Sequence, residues 1–157
     1  MRIDVQRLAP EVMEALGNLD EPAERCGLDP RLLALVKLRV SQLNGCAYCT
    51  DMRSKDACAL GEDEQRLHLL TVWRDAPGFT AAEQAALAWA EALTLLPQQG
   101  APDDRFEGLT RQFSLEQVAA LTLAVIATNS WNRLCRAFRI PAGQYVSRYG
   151  GGERSAS

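Results

Sequence analysis

Leu35-Val-Lys-Leu-Arg-Val-Ser-Gln-Leu-Asn-Gly-Cys-Ala-Tyr-Cys-Thr-Asp-Met-Arg-Ser-Lys-Asp-Ala57 decides how this chain is read. Its first half carries apolar residues on more than one helical face, which predicts a buried helix from Pro30 to about Gln42. Asn44-Gly45 breaks that helix, so Cys46-Ala47-Tyr48-Cys49 stands at the first turn of the next one. Unpaired N–H groups and the positive end of the helix dipole favour a thiolate there. Two cysteines three residues apart share one helical turn, within bridging range for a disulfide.

Three chemistries fit such a pair. Zinc normally takes four ligands, yet Cys26, Cys58 and Cys135 are scattered singly and His68 is the single histidine, so a metal site would need distant ligands to converge. No metal is assigned. Two cysteines packed as small hydrophobes are the second reading. A switch between dithiol and disulfide is the third, and the position at a helix start favours it.

Outward from this segment, 157 residues suit one domain with a real core. Hydrophobic residues make up 47% and charged ones 24%, values ordinary for a soluble globular chain. A net charge of −3 gives no electrostatic reason to expect nucleic acid. The start, Met1-Arg-Ile-Asp-Val-Gln-Arg7, lacks the apolar segment and cleavage site of an export signal, and no apolar run reaches membrane-spanning length. The cytoplasm is the expected compartment, with no membrane partner and with cysteines held in a reducing pool.

Periodicity predicts an all-α, single-domain fold. Helices are expected over Glu11 to Gly17, Pro30 to about Gln42, the cysteine segment to Leu60-Gly61, and Glu62 to Trp73. Thr80 and Glu83 have capping-box spacing and open a helix to about Leu96, which Pro97 closes. Pro102 to Phe113 reads as a shorter helix. Ser114 and Gln117 open a long one that ends before Pro141. Its middle, Val118 to Ala127, is apolar nearly all round and should be the central span. Beyond Gly143 the chain turns Gly- and Ser-rich, so residues 1–143 are expected as the helical domain and 144–157 as a flexible tail.

With these elements placed, the segment from Asp29 to Gly143 resembles the carboxymuconolactone decarboxylase superfamily, in its alkylhydroperoxidase D (AhpD)-like branch. Three stretches carry the likeness: Leu38 to Cys49 with Asp56-Ala57; Trp73 to Pro77 with Ala88 to Thr94; and Asn129 to Leu134 with Phe138 to Pro141. The resemblance implies an all-helical fold, a homo-oligomer (trimer or hexamer), and a thiol-dependent peroxidase or disulfide reductase that needs no bound cofactor. By resemblance Cys49 attacks a hydroperoxide, Cys46 resolves the sulfenic acid to a disulfide, and a dithiol or lipoylated-protein reductant resets the pair.

Two positions depart from the family's pattern. A histidine four residues after the second cysteine is replaced by Arg53, and a glutamate twelve residues before the first is replaced by Ala34. By resemblance those groups form a proton relay, and each loss is expected to cost about 10²–10⁴-fold if catalysis uses them. Arg53, one turn after Cys49, can stabilise a thiolate but cannot shuttle a proton; its bland alternative is to reach solvent or to pair with a carboxylate such as Asp56. Glu91 is the expected replacement acid, being a charge in an apolar segment, with a buried pair to Arg39 or Arg133 as the alternative. Tyr48 and His68 complete the candidates, as pocket residues or as plain packing and surface groups. A weakly catalytic redox-responsive or ligand-binding module of the same fold is the alternative function.

Overall fold

The computed structural model describes residues 1–25 and 27–149. These residues are helical, with no strand among them. Helices α1 (Val5–Leu8) and α2 (Pro10–Glu24) lead into α3 (Pro30–Leu43) and α4 (Ala47–Ala59). Then come α5 (Glu64–Leu69), which runs on into a 3₁₀ turn over Leu70–Val72, and α6 (Ala81–Thr94). Helices α7 (Leu96–Gln99), α8 (Asp103–Thr110) and α9 (Leu115–Phe138) complete the order. No helix among the described residues is long and apolar enough to cross a membrane.

Caps explain most of the boundaries. Asp29 accepts from the Arg31 N–H with Pro30 at the first helical position, which opens α3. Both expected capping boxes form, Thr80 with Glu83 on α6 and Ser114 with Gln117 on α9. Four boundaries differ from expectation, one of them the end of α8 at Thr110 rather than Phe113, where the Arg111 N–H returns to the Glu107 carbonyl as the C-cap. Helix α2 runs to Glu24 rather than Gly17, because packing against α9 carries it through Gly17 and Asn18, and Pro22 falls in its last turn. The expected helix from Glu62 to Trp73 is shorter, opening after an Asp63 cap and tightening to a 3₁₀ turn. Pro97 does not close α6; that helix ends at Thr94, and Pro97 sits in the first turn of α7.

Helix α3 is the axis of the molecule, packed against α4, α6 and α9, while α2 lies on α9 and α6 on α8. Leu35, Val36, Leu38 and Val40 of α3 meet Leu87, Ala90, Leu121 and Val125 of α6 and α9 in one apolar core. Each fully buried leucine or valine there contributes about 1.5–3 kcal/mol relative to exposure. The middle of α9 is less completely covered than its composition suggests, since Ile126 is 48% exposed. Of the expected tail, residues 150–157 lie outside the described residues. Residues 144–149 are tied down: Tyr145 and Ser147 donate to Asp56, and Arg148 reaches Glu24.

Candidate active site

The turn between α3 and α4 sets the position of the cysteines. Gly45 adopts φ +62°, the left-handed conformation glycine takes without a Cβ penalty. Its N–H donates to the Gln42 carbonyl and the Cys46 N–H to the Ser41 carbonyl, a pair of bonds that closes α3. Cys46 then serves as the N-cap of α4, its Sγ accepting the Cys49 N–H at 3.3 Å. One residue thus ends one helix and starts the next.

A polar ladder holds this joint against α9. Asn44 Nδ2 donates to the side-chain oxygens of Asn129 (3.0 Å) and Asn132 (2.9 Å), Asn132 donates to Ser41, and Arg136 donates to the Asn44 carbonyl. Asn132 and Ser41 are buried, so each would cost about 1–3 kcal/mol if left without a partner.

Cys46 and Cys49 are joined in a disulfide with Cα atoms 5.3 Å apart, and both are buried. Cys49 lies on the wall of a cavity of about 690 Å³ formed by α2, α4, α9 and residues 140–148. Tyr48, Arg53, Trp131 and Cys135 line the same space, whereas Cys46 does not. Burial pushes the Tyr48 phenol up from its ordinary value.

Arg53 stands between two cavities. It lines the main one and also a smaller space of about 200 Å³ shared with Ala34, Lys37 and Asp56. Its Nη atoms stand 3.7 Å from Asp20 and 3.9 Å from Asp56, beyond hydrogen-bond reach, and its Nε is buried without a hydrogen bond. The pairing with Asp56 expected as the bland alternative therefore exists, loosely, alongside a lining position in the pocket. Asp20 is held more closely by Lys37 at 2.8 Å, and Asp56 by the hydroxyls of Tyr145 (2.8 Å) and Ser147 (2.7 Å). Fixed positive charge remains beside the cysteine helix, and the carboxylates nearest it are already engaged.

Glu91 is not brought to this pocket. It is buried between Arg39 (2.6 Å), Arg74 (2.5 Å) and the Trp73 indole N–H (3.0 Å). Burial alone would raise its carboxyl, but those three donors outweigh it and hold it below the ordinary range. The expected replacement acid is thus an ion-pair centre that clamps α3 and α6 to the segment after α5. His68 is exposed on α5 and does not line the cavity.

Residues that sequence reasoning passed over complete the site. Cys135, a single scattered cysteine in the sequence, lies with the Cys46 and Cys49 sulfurs so that all three Sγ atoms fall within 4.8 Å of one another. No fourth histidine, cysteine or carboxylate joins them among the described residues, and Cys26 lies outside those residues. Burial pushes the Cys135 thiol up to about 11, against the opposing charge of Arg53. Its signal was present: Thr128, Asn132 and Cys135 recur at i, i+4 and i+7, one non-aliphatic face on an apolar helix.

A helical scaffold sets a C-x-x-C disulfide at a helix N-terminus, on the wall of a cavity. The chain belongs to the carboxymuconolactone decarboxylase family, whose model matches residues 10–92, and to its AhpD-like branch. Among relatives, the uncharacterized protein YdfG of Bacillus subtilis is 35% identical over 133 residues, covering 85% of this chain and 90% of its own. A crystal structure of a protein of unknown function from Agrobacterium tumefaciens, assigned provisionally to AhpD-type antioxidant defence, is 40% identical with a TM-score of 0.87. That match covers 92% of this chain and 99% of the other. The debrominase Bmp8 shares the fold at 21% identity and a TM-score of 0.77, over 86% of this chain and 73% of its own.

Proposed function

We propose that this protein is a thiol oxidoreductase of the peroxidase type, in which Cys49 reduces a small hydroperoxide and Cys46 closes the disulfide. The observation that carries this reading is the disulfide between an N-cap residue and a residue on the wall of a 690 Å³ cavity. Cys49, the wall residue, is the sulfur a substrate meets; Cys46 stands behind it, where it resolves. Cys49 thiolate attacks the distal peroxide oxygen, the O–O bond breaks, and an alkoxide leaves to take a proton from water. Cys46 then attacks the sulfenic sulfur, and the hydroxyl leaves as water with the Cys46 proton. A dithiol or lipoylated protein returns two electrons by thiol–disulfide exchange.

Arg53 supplies a fixed positive charge that favours the thiolate, but no proton. With Ala34 opposite it and Glu91 committed elsewhere, peroxide cleavage is slow in this chain. That absence also supports the second reading, a redox-responsive module that oxidises once per signal. The cytoplasm and a homo-oligomer are part of the proposal, the latter supported by exposed apolar side chains such as Leu115 and Ile126 on α9.

Stopped-flow measurement of peroxide-dependent oxidation, beside steady-state turnover with dihydrolipoamide, tests it. Stoichiometric oxidation that Cys49→Ser abolishes, with measurable turnover, is the expected result. Oxidation without turnover favours the module, and no reaction at Cys49 overturns both.

A further inference from the structure

We propose that Cys135 is a third redox thiol of the pocket, able to take over the disulfide from Cys46 so that the bond then joins Cys49 on α4 to Cys135 on α9. The proposal rests on the reading of Cys49 as the sulfur that is oxidised.

Three observations carry it. The packing of α4 on α9 brings Cys135 across 86 residues of chain (135 − 49) to within 4.8 Å of both other sulfurs. Cys49 and Cys135 line the main cavity while Cys46 does not, so the two cysteines on its wall are not the pair now bonded. The Cys49 N–H already points at Cys46 Sγ, which stabilises that sulfur as the leaving thiolate.

Two routes reach the new bond. In exchange, the Cys135 thiolate attacks Cys49 Sγ, the Cys46–Cys49 bond breaks, and Cys46 leaves as thiolate; no electrons are gained or lost. In resolution, a hydroperoxide first takes two electrons from Cys49. Cys135 then attacks the sulfenic sulfur, the S–O bond breaks, and the hydroxyl leaves with the Cys135 proton as water.

Burial sets when this happens. A thiol pushed up to about 11 is almost wholly protonated at neutral pH, so Cys135 is silent toward oxidants in solution. Toward a sulfur in the same pocket it gains from proximity, which reaches effective molarities of about 10⁵ M in well-oriented cases. Cys46 therefore resolves first; Cys135 acts on the Cys46–Cys49 bond when its own thiolate forms, and on the sulfenic sulfur when Cys46 is absent. Exchange should quicken about tenfold per pH unit up to the Cys135 value.

Proteolysis with trypsin makes the test direct. Cys46 and Cys49 share the fragment 40–53, whereas Cys135 lies on 134–136, so a Cys46–Cys49 bond is internal to one peptide and a Cys49–Cys135 bond joins two. The full chain carrying Cys26→Ser and Cys58→Ser, with and without Cys46→Ser, is treated with diamide or with cumene hydroperoxide, alkylated and analysed by mass spectrometry. With Cys46→Ser, the joined pair of peptides should be the main product in a protein of unchanged subunit mass. Cys49 bridged between chains, or oxidised to sulfinic acid beside an alkylated Cys135, overturns the proposal.

If Cys46→Ser fails to fold, the protein retaining Cys46 is oxidised and acid-quenched between pH 7 and 10. A joined fraction that appears faster with pH supports exchange, and none at any pH overturns it. Diamide needs no peroxide chemistry, so bridging with diamide but no reaction with the hydroperoxide sinks the peroxidase reading alone. Sulfenic acid formation without bridging sinks the third thiol alone.

Discussion

Returning a glutamate to position 34 and a histidine to position 53 separates two properties that Arg53 keeps apart from each other, charge beside the thiol and the means to move a proton. Ala34→Glu alone puts a carboxylate into the 200 Å³ space lined by the cations Lys37 and Arg53 and by the carboxylates Glu24 and Asp56. A cation about 4 Å away attracts it by about 4 kcal/mol at an effective dielectric of about 20, before desolvation is counted. One such neighbour lowers a carboxyl pKa by about 1–3 units. Glu24 and Asp56 oppose that shift, but Arg53 carries no transferable proton. The new acid therefore has no shuttle to the thiol, and peroxide turnover should rise less than about 10-fold, well short of what a working general acid gives. Arg53→His alone provides a group that titrates near neutrality, with no carboxylate at position 34 to orient it. Only the double change restores a coupled pair, for which a gain of about 10²–10⁴-fold is expected. The assay is kcat/KM for cumene hydroperoxide, with dihydrolipoamide as reductant, across the four proteins of this cycle. A coupling of 10²-fold corresponds to about 2.7 kcal/mol in the transition state. Ala34→Glu matching the double variant, or a double variant with the same unfolding temperature as the natural protein that turns over no faster, would refute the reasoning.

Gly45→Ala should cost about 1–2 kcal/mol from the positive φ alone, because the added Cβ would meet nothing closer than Arg136 Nη1 at 3.7 Å; urea unfolding reads this, and no change would contradict the turn assignment. Glu91→Gln should cost about 3 kcal/mol by leaving Arg39 and Arg74 without a counter-charge, while the alkylation rate of reduced Cys49 stays unchanged. Because the folded Glu91 carboxyl lies below its ordinary 4.5, its stabilisation is complete above that pH and is lost as pH falls through the folded value. The variant should lose this acid limb of the stability profile, and a profile parallel to the natural protein's would count against it. Tyr145→Phe removes one of two hydroxyl donors to Asp56 and should cost about 1 kcal/mol, with faster amide exchange over residues 144–149; unchanged exchange would mean that Ser147, Arg148 and the Lys55 bond to the Tyr145 carbonyl hold the segment without it.

Local signals carried the fold far. Pro30, Thr80 and Ser114 marked helix starts because caps act on the residues beside them, and Asn44-Gly45 placed the cysteines at a helix N-terminus for the same reason. The far half of α2 escaped, since Gly17, Asn18 and Pro22 look like stops until α9 packs against them. With that half went Asp20 and Glu24, the carboxylates that meet Lys37, although a lysine amid Leu35, Val36 and Leu38 hinted at a buried partner. Glu91 was seen as a charge that needed a partner, and the pairing with Arg39 was one of the two readings it allowed. Choosing between them required knowing which face of α6 looks toward the pocket. Cys135 depends on the same kind of information, because no local rule says which residues of α9 lie over α4.

Position 46 ends α3 with its amide and begins α4 with its side chain. A serine performs both tasks, since its hydroxyl is among the preferred caps. The joint on which the helices hang therefore does not require sulfur. A lineage of such proteins can shed or regain a cysteine at this position by one exchange while the scaffold persists, leaving the pocket free to be recruited to chemistry that uses a single thiol.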